Sequence, residues 1–227
     1  MKKLKDYQRN KKKIVIFDFD GVLAETIKIK GLVFYKIFEK EGRMIQNYAY
    51  SYHIKNAGIN RKIKFKEIYK IKLKKNINNK ELLKLNVKFN KIYSEYYKRI
   101  KINRDFINFI NKNKKNINFY ISSTAPKKEI INILKNNDCY NLFKKIYGSN
   151  IKKNIAIRNI IKHEEITKKD IIFIGDTIHD YNVAKQLKIN FISYKFNSKN
   201  DKKNKNIISS KSFNKVVNEY FSNNWIK

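Results

Sequence analysis

The sequence predicts an α/β protein built on an open parallel sheet, with a helical module inserted after the first strand. Two observations carry this. Four short apolar runs, Ile14–Phe19, Ile117–Ser122, Ile171–Gly175 and Ile189–Tyr194, are continuously hydrophobic rather than alternating, the mark of strands covered on both faces. Between the later runs lie helix-like stretches of about ten residues, Arg104–Lys112, Lys127–Asn136, Lys153–Lys162 and Asp180–Lys188, the rhythm of a parallel sheet with crossover helices.

The first run opens the sheet, and the rhythm then breaks. From Ile27 to Lys98 the pattern is amphipathic and helical, as in Leu32-Val33 with Ile37-Phe38 and Leu82-Leu83 with Val87 and Ile92. About seventy residues is too long for a simple crossover, so residues 27–98 read as an inserted module. Residues 1–26 and 99–227 then form the sheet-bearing part. Near the end, Phe196–Lys205 reads as a polar loop, Ile207–Ser210 as a short edge strand and Phe213–Phe221 as a closing helix. No internal repeat is visible.

Composition narrows the class. With 42% hydrophobic residues, including 15 Phe and 15 Tyr, the chain of 227 residues has the material for a packed core. One cysteine, Cys139, excludes a disulfide framework and reads as a buried apolar residue. No apolar run approaches the roughly 18–20 residues of a membrane span. The basic stretch Met1–Lys13 is followed by too short an apolar run for a signal peptide, so the expectation is a soluble, cytoplasmic protein without a membrane partner, monomeric or weakly dimeric. The net charge of +34, from 53 Lys+Arg against 19 Asp+Glu, would attract polyanions. The lysines are spread through every segment with no basic stripe interleaved with aromatics. They read as solvated faces of a chain biased to Lys, Asn and Ile, and nucleic acid is not the expected partner.

The chemistry sits at the ends of the strands. The first ends in Asp18-Phe19-Asp20-Gly21-Val22-Leu23-Ala24-Glu25-Thr26. Two carboxylates at i and i+2 on extended backbone point the same way, into the crevice where open α/β sheets bind ligands. Such Asp pairs also form turns, but a second acidic pair, Asp176 and Asp180 in Gly175-Asp176-Thr177-Ile178-His179-Asp180, follows another strand. Together they make an oxygen-rich site suited to Mg²⁺, where His179 is expected to face solvent. Ser122-Ser123-Thr124-Ala125-Pro126 offers hydroxyls and helix-opening N–H groups for a phosphate, and Lys153 supplies a cation. His163, after a helix, reads as structural, and Trp225 carries no readable role.

In this order these motifs resemble the haloacid dehalogenase superfamily of aspartate-nucleophile phosphohydrolases, along essentially the whole chain. The resemblance implies a Rossmann-like three-layer core with a helical-bundle cap over residues 27–98, similar to phosphoglycolate phosphatases and to β-phosphoglucomutase-like phosphatases. It makes Asp18 the nucleophile that takes the phosphoryl group as an aspartyl-phosphate, and Asp20 the acid and base. It gives Ser123, Thr124 and Lys153 to the phosphoryl oxygens, with Ser122 competing for the second-motif hydroxyl. It assigns Mg²⁺ to the carboxylate of Asp18, the backbone carbonyl of Asp20 and the carboxylate of Asp176, with Thr26 and Asp180 in support. Asp20 argues against dehalogenases and phosphonate-cleaving members, which lack it.

The cap stretch Gly58–Phe65 is similar to the specificity loop of β-phosphoglucomutase, so Arg61, His53 and Lys64 are candidates for reading the substrate. Lys30 stands where the mutase carries histidine, which favours a phosphatase acting on a small phosphorylated metabolite, a sugar, a polyol or a similar monoester. A phosphomutase, or a nucleic-acid end phosphatase using the basic surface, are the alternatives.

Overall fold

The computed structural model describes residues 12–194. Five parallel strands, β1 (Lys13–Phe17), β2 (Ile117–Ser122), β3 (Lys145–Tyr147), β4 (Ile171–Gly175) and β5 (Asn190–Ser193), form one sheet in the order β3-β2-β1-β4-β5. The chain leaves β1 for β2 and β3 on one side, then returns to place β4 and β5 on the other. The C-terminal end of β1 is therefore the switch point of the sheet, where a crevice opens. In register, Phe17 lies between Ile121 of β2 and Ile174 of β4, so the residues just beyond these three positions emerge side by side.

Both faces of the sheet are covered, which is why the strands read as unbroken apolar runs. Val15, Phe17, Phe119, Ile121, Ile172 and Ile174 pack with residues of α5 (Arg104–Asn113) and α6 (Lys127–Lys135). Ile14, Ile16, Tyr120, Ile171 and Phe173 pack with residues of α7 (Lys153–Glu164) and α8 (Ile178–Leu187). The three layers are those expected. Strand β3 is the element the sequence did not announce. It has three residues, its first exposed, and a run that short gives no periodicity to read.

Between β1 and β2 the chain also builds α1 (Ile27–Ile37), α2 (Arg43–Lys55), α3 (Arg61–Ile68), which runs on into a π-helical turn (Tyr69–Leu73), and α4 (Asn79–Ser94). The segments leading out and back run together: Ala24 bridges Ile102 in antiparallel fashion and the Asn103 N–H donates to the Leu23 carbonyl at 2.8 Å. The insert is held by an aromatic centre. The Phe34 ring lies 5.0 Å from Phe65, 5.3 Å from Phe89 and 5.0 Å from the His53 imidazole, within the range of favourable ring pairing.

Helix α4 opens on a capping box, with Asn78 and Glu81 bonding each other's backbone N–H. It turns Leu82, Phe89 and Tyr93 inward, while Leu83 and Val87 stand 60% and 68% exposed. The apolar pattern of the sequence thus marks the helix but misplaces part of its buried stripe, because two aromatics outcompete the smaller aliphatics for the core. The polar loop, edge strand and closing helix expected after Tyr194, and Trp225 with them, lie outside the described residues.

This packing sets a stability contrast. Phe34→Ala removes a fully buried ring with three ring neighbours and is expected to cost about 3–5 kcal/mol. Val87→Ala on the exposed face should change stability by less than about 0.5 kcal/mol. Urea unfolding of both variants measures the difference, and equal effects would contradict the assigned face of α4.

Candidate active site

Directly after β1 the chain makes a tight loop. The Asp18 N–H is tied to the Ile174 carbonyl at 2.8 Å, the Gly21 N–H donates to the Ala24 carbonyl at 2.8 Å, and the Ala24 N–H returns to Phe19 at 3.0 Å. Gly21 has φ +81°, and a side chain there would overlap the Asp176 carboxylate, so both backbone freedom and close approach require glycine. The loop holds Asp18 buried, its Oδ1 accepting the Phe19 N–H at 2.7 Å.

Lys153, at the first position of α7, inserts its ammonium between two carboxylates. It pairs with Asp18 at 3.0 Å and with Asp180, and all three side chains are almost completely buried. Asp180 closes a capping box with Thr177 at the start of α8. Its side chain packs onto Gly175, where a methyl group would collide with it. Ligand oxygens of Asp18, Asp176 and Asp180 all lie within 4.8 Å of one another.

Burial raises the pKa of the Asp18 carboxyl, Lys153 works against that, and Asp180 and Asp20 add to it. Burial and then the Asp18 and Asp180 charges push Asp176 well above the carboxylate range. Burial alone would lower Lys153, but Asp18 and Asp180 outweigh it and hold the ammonium above its ordinary value. Three carboxylates thus face one ammonium, and the Asp176 Oδ1 is buried without a hydrogen-bond partner. A hard divalent cation is what such a donor set fits: oxygen ligands, excess negative charge and an orphaned carboxylate oxygen.

Asp20 is handled differently. Its Oδ1 accepts from the Thr26 hydroxyl, and Lys30 on α1 approaches both oxygens, at 2.7 Å and 2.5 Å. Burial acts to raise its pKa, but Lys30 and the Thr26 hydroxyl overcome that and hold the carboxyl below its usual range. Lys30 also pairs with Glu129 of α6 at 2.5 Å, and Glu129 pairs with Arg61 of α3 at 2.7 Å. Neither Lys30 as the partner of Asp20 nor Glu129 was identified from the sequence. A glutamate in the first turn of a helix has an ordinary explanation in the helix dipole, and one lysine among so many carries no signal.

Arg61, His53 and Lys64 come together beside Asp20, with His53 and Lys64 buried and Arg61 half-buried. The Arg61 guanidinium also donates to the Asn90 Oδ1 at 2.7 Å and stacks 3.7 Å from the Phe89 ring. Lys64 is 2% exposed and His53 5%. The Lys64 ammonium donates to His53 Nδ1 at 3.1 Å, which leaves the His53 Nε2–H to donate to the Ile27 carbonyl at 3.1 Å. Burial and then the neighbouring Lys64 and Lys30 hold His53 down to about 3, and burial with Lys30 brings Lys64 down to about 7.

At the end of β2 the Ser123 hydroxyl accepts the Ala125 N–H at 3.2 Å, while the Ser122 hydroxyl is buried without a partner. Thr124 faces a cavity of about 1090 Å³ that also touches Asp176 and Lys153 and opens between insert and sheet. His179 is exposed at its rim, His163 is exposed against Glu164, and Cys139 is buried. Among the described residues no helix is long and apolar enough to cross a membrane.

Comparison with known proteins agrees with this arrangement. A hydrolase from Streptococcus pneumoniae described as haloacid dehalogenase-like shares 17% identity over 93% of this chain and 99% of its own, with a TM-score of 0.70. A β-phosphoglucomutase from Clostridium difficile shares 20% over 92% of this chain and 99% of its own, with a TM-score of 0.71. A predicted phosphoglycolate phosphatase from Haemophilus somnus shares 14% over 82% and 86%, with a TM-score of 0.66. At these identities the likeness is one of fold. No curated protein sequence matches. The model of the haloacid dehalogenase-like hydrolases matches residues 15–194, and the chain belongs to that family.

Proposed function

We propose that this hydrolase is a Mg²⁺-dependent phosphatase that cleaves a small phosphomonoester through an aspartyl-phosphate on Asp18. The observation that carries the reading is the buried Asp18–Lys153 pair beside Asp176 and Asp180 at the end of the central strand. Nothing in a structural role requires three carboxylates there, and their mutual repulsion costs stability.

In this reading Asp18 attacks phosphorus, the P–O bond to the alcohol breaks, and Asp20, which must first leave Lys30 and take up a proton, delivers that proton to the departing oxygen. Asp20 then takes a proton from water, the water attacks phosphorus, and Asp18 and inorganic phosphate are released. Splitting one displacement into two is the usual advantage of a covalent intermediate, and a positioned carboxyl contributes about 10²–10⁴-fold. Lys153 neutralises Asp18 and orients it, and Asp180 fixes Lys153 in turn. The second-motif hydroxyl, Ser123 in our reading, and the backbone around Thr124 hold the phosphoryl oxygens. Asp18 and Asp176 through their carboxylates, and Asp20 through its carbonyl, would hold Mg²⁺, which supplies charge neutralisation for an anion attacking an anion. Residues 27–98 act as the lid over the core formed by 1–26 and 99–227. The protein works in the cytoplasm on a small substrate.

Asp18→Asn is expected to lower phosphate release by at least about 10³-fold with unchanged circular dichroism. Residual turnover within tenfold of wild type would remove Asp18 from the nucleophile's role. Turnover should vanish after chelation and dialysis and return with Mg²⁺. Ca²⁺ should inhibit, because it takes 6–8 oxygen ligands and would engage Asp18 too fully for attack. Full activity in excess chelator would exclude the metal.

A further inference from the structure

The two basic groups of the insert that reach toward Asp20 and Glu129, Lys30 and Arg61, already have their anions. Lys30 and Arg61 reach from the insert to Glu129, which is 3% exposed, at 2.5 Å and 2.7 Å. Lys30 takes Asp20 as well, and the remaining Arg61 contacts go to Asn90 and the face of Phe89. Two cations of the insert are thus matched by two carboxylates of the sheet-bearing part. Lys64 and His53 are bonded to each other and to the Ala57 and Ile27 carbonyls.

Space gives a second, independent observation. The chamber bounded by Asp20, Lys30, His53, Arg61 and Lys64 holds about 30 Å³, room for one water and no more. The large cavity of about 1090 Å³ reaches Asp176 and Lys153 from the other side, and its walls include Ile27, Ile54, Ile59, Ile63, Ile151 and Ile178. Of these, Ile59, Ile63 and Ile178 are exposed by 38%, 52% and 53%. Besides Lys153, which Asp18 and Asp180 already engage, its lysines Lys55 and Lys152 are exposed, where water and salt screen them.

We propose that Glu129 is a specificity-determining residue. Its buried carboxylate takes, on Arg61 and Lys30, the place that a second anionic group of a substrate would take. The alcohol part of the ester therefore carries no second phosphate or carboxylate and lies between the isoleucine walls of the large cavity. An ester with a second anion would have to bury it against apolar walls or beside Glu129, and either leaves a charge unpaired. The proposal rests on the phosphatase reading and narrows its substrate class.

The test uses 2-hydroxyethyl phosphate and phosphoglycolate, which differ only in a CH₂OH for a carboxylate. With Mg²⁺, the full-length wild-type protein should show kcat/KM at least about tenfold higher for the neutral alcohol. Calorimetry on Asp18→Asn, which holds the ester uncleaved, should give the same order in Kd. Glu129→Gln removes the built-in anion and should bring the two esters within about threefold, chiefly by lowering KM for phosphoglycolate. If that variant does not fold, the wild-type and Asp18→Asn preferences decide alone. Neutral-ester preference in binding without any turnover would sink hydrolysis and leave the role of Glu129 standing. Equal or better use of phosphoglycolate by wild type, or no binding of either ester to Asp18→Asn, would overturn the proposal, as would a folded Glu129→Gln that keeps the wild-type ratio.

Discussion

Excess negative charge buried at the end of the central strand is the constraint around which the rest of this structure is arranged. Asp18, Asp176 and Asp180 converge within 4.8 Å with one ammonium among them. A cluster like this is tolerated only where the backbone leaves the side chains no alternative. The strand register that sets Phe17 between Ile121 and Ile174 fixes Asp18, and Gly21 brings its loop against Asp176. The capping box of α8 holds Asp180 against Gly175. The apolar sheet faces supply the rigidity that keeps like charges together.

The insert answers with charge of the opposite sign. Asp20, although only two residues from Asp18, faces α1 and takes its partners, Thr26 and Lys30, from there. The position of the proposed acid thus depends on the position of a helix of the insert, whose other cation, Arg61, is anchored by Glu129. Two neighbouring carboxylates are kept distinct by separate partners, Lys153 for one and Lys30 for the other.

The parts legible in the sequence are those governed by local rules. Continuous apolar runs announced four of the five strands, and the Asp-x-Asp-Gly and Gly-Asp motifs marked where charge would collect. The illegible parts depend on distance in the fold. Glu129 lies far along the chain from Lys30 and Arg61, and no spacing links them. Leu83 and Val87 fit a helical stripe as well as Phe89 and Tyr93 do, and only the aromatic centre of the insert decides which face turns in. Strand β3 is shorter than any period that could reveal it.

The same logic separates informative residues from uninformative ones in so basic a chain. Lys30, Lys64 and Lys153 are buried, yet among 53 Lys+Arg neither composition nor spacing sets Lys30 or Lys64 apart; only the family resemblance pointed to their positions, and Lys153 stands out only beside the motifs around it. Acidic residues are scarce, at 19, and Asp18, Asp20, Glu129, Asp176 and Asp180 all gather at one end of the sheet. Where composition runs strongly toward one charge, the rarer charge carries the information. Lys30 and Lys153 are found by asking which cation a buried carboxylate requires, because an unpaired charge in the interior costs far more than any surface pair contributes. Burial at Lys30 and Lys153 follows from the acids they serve.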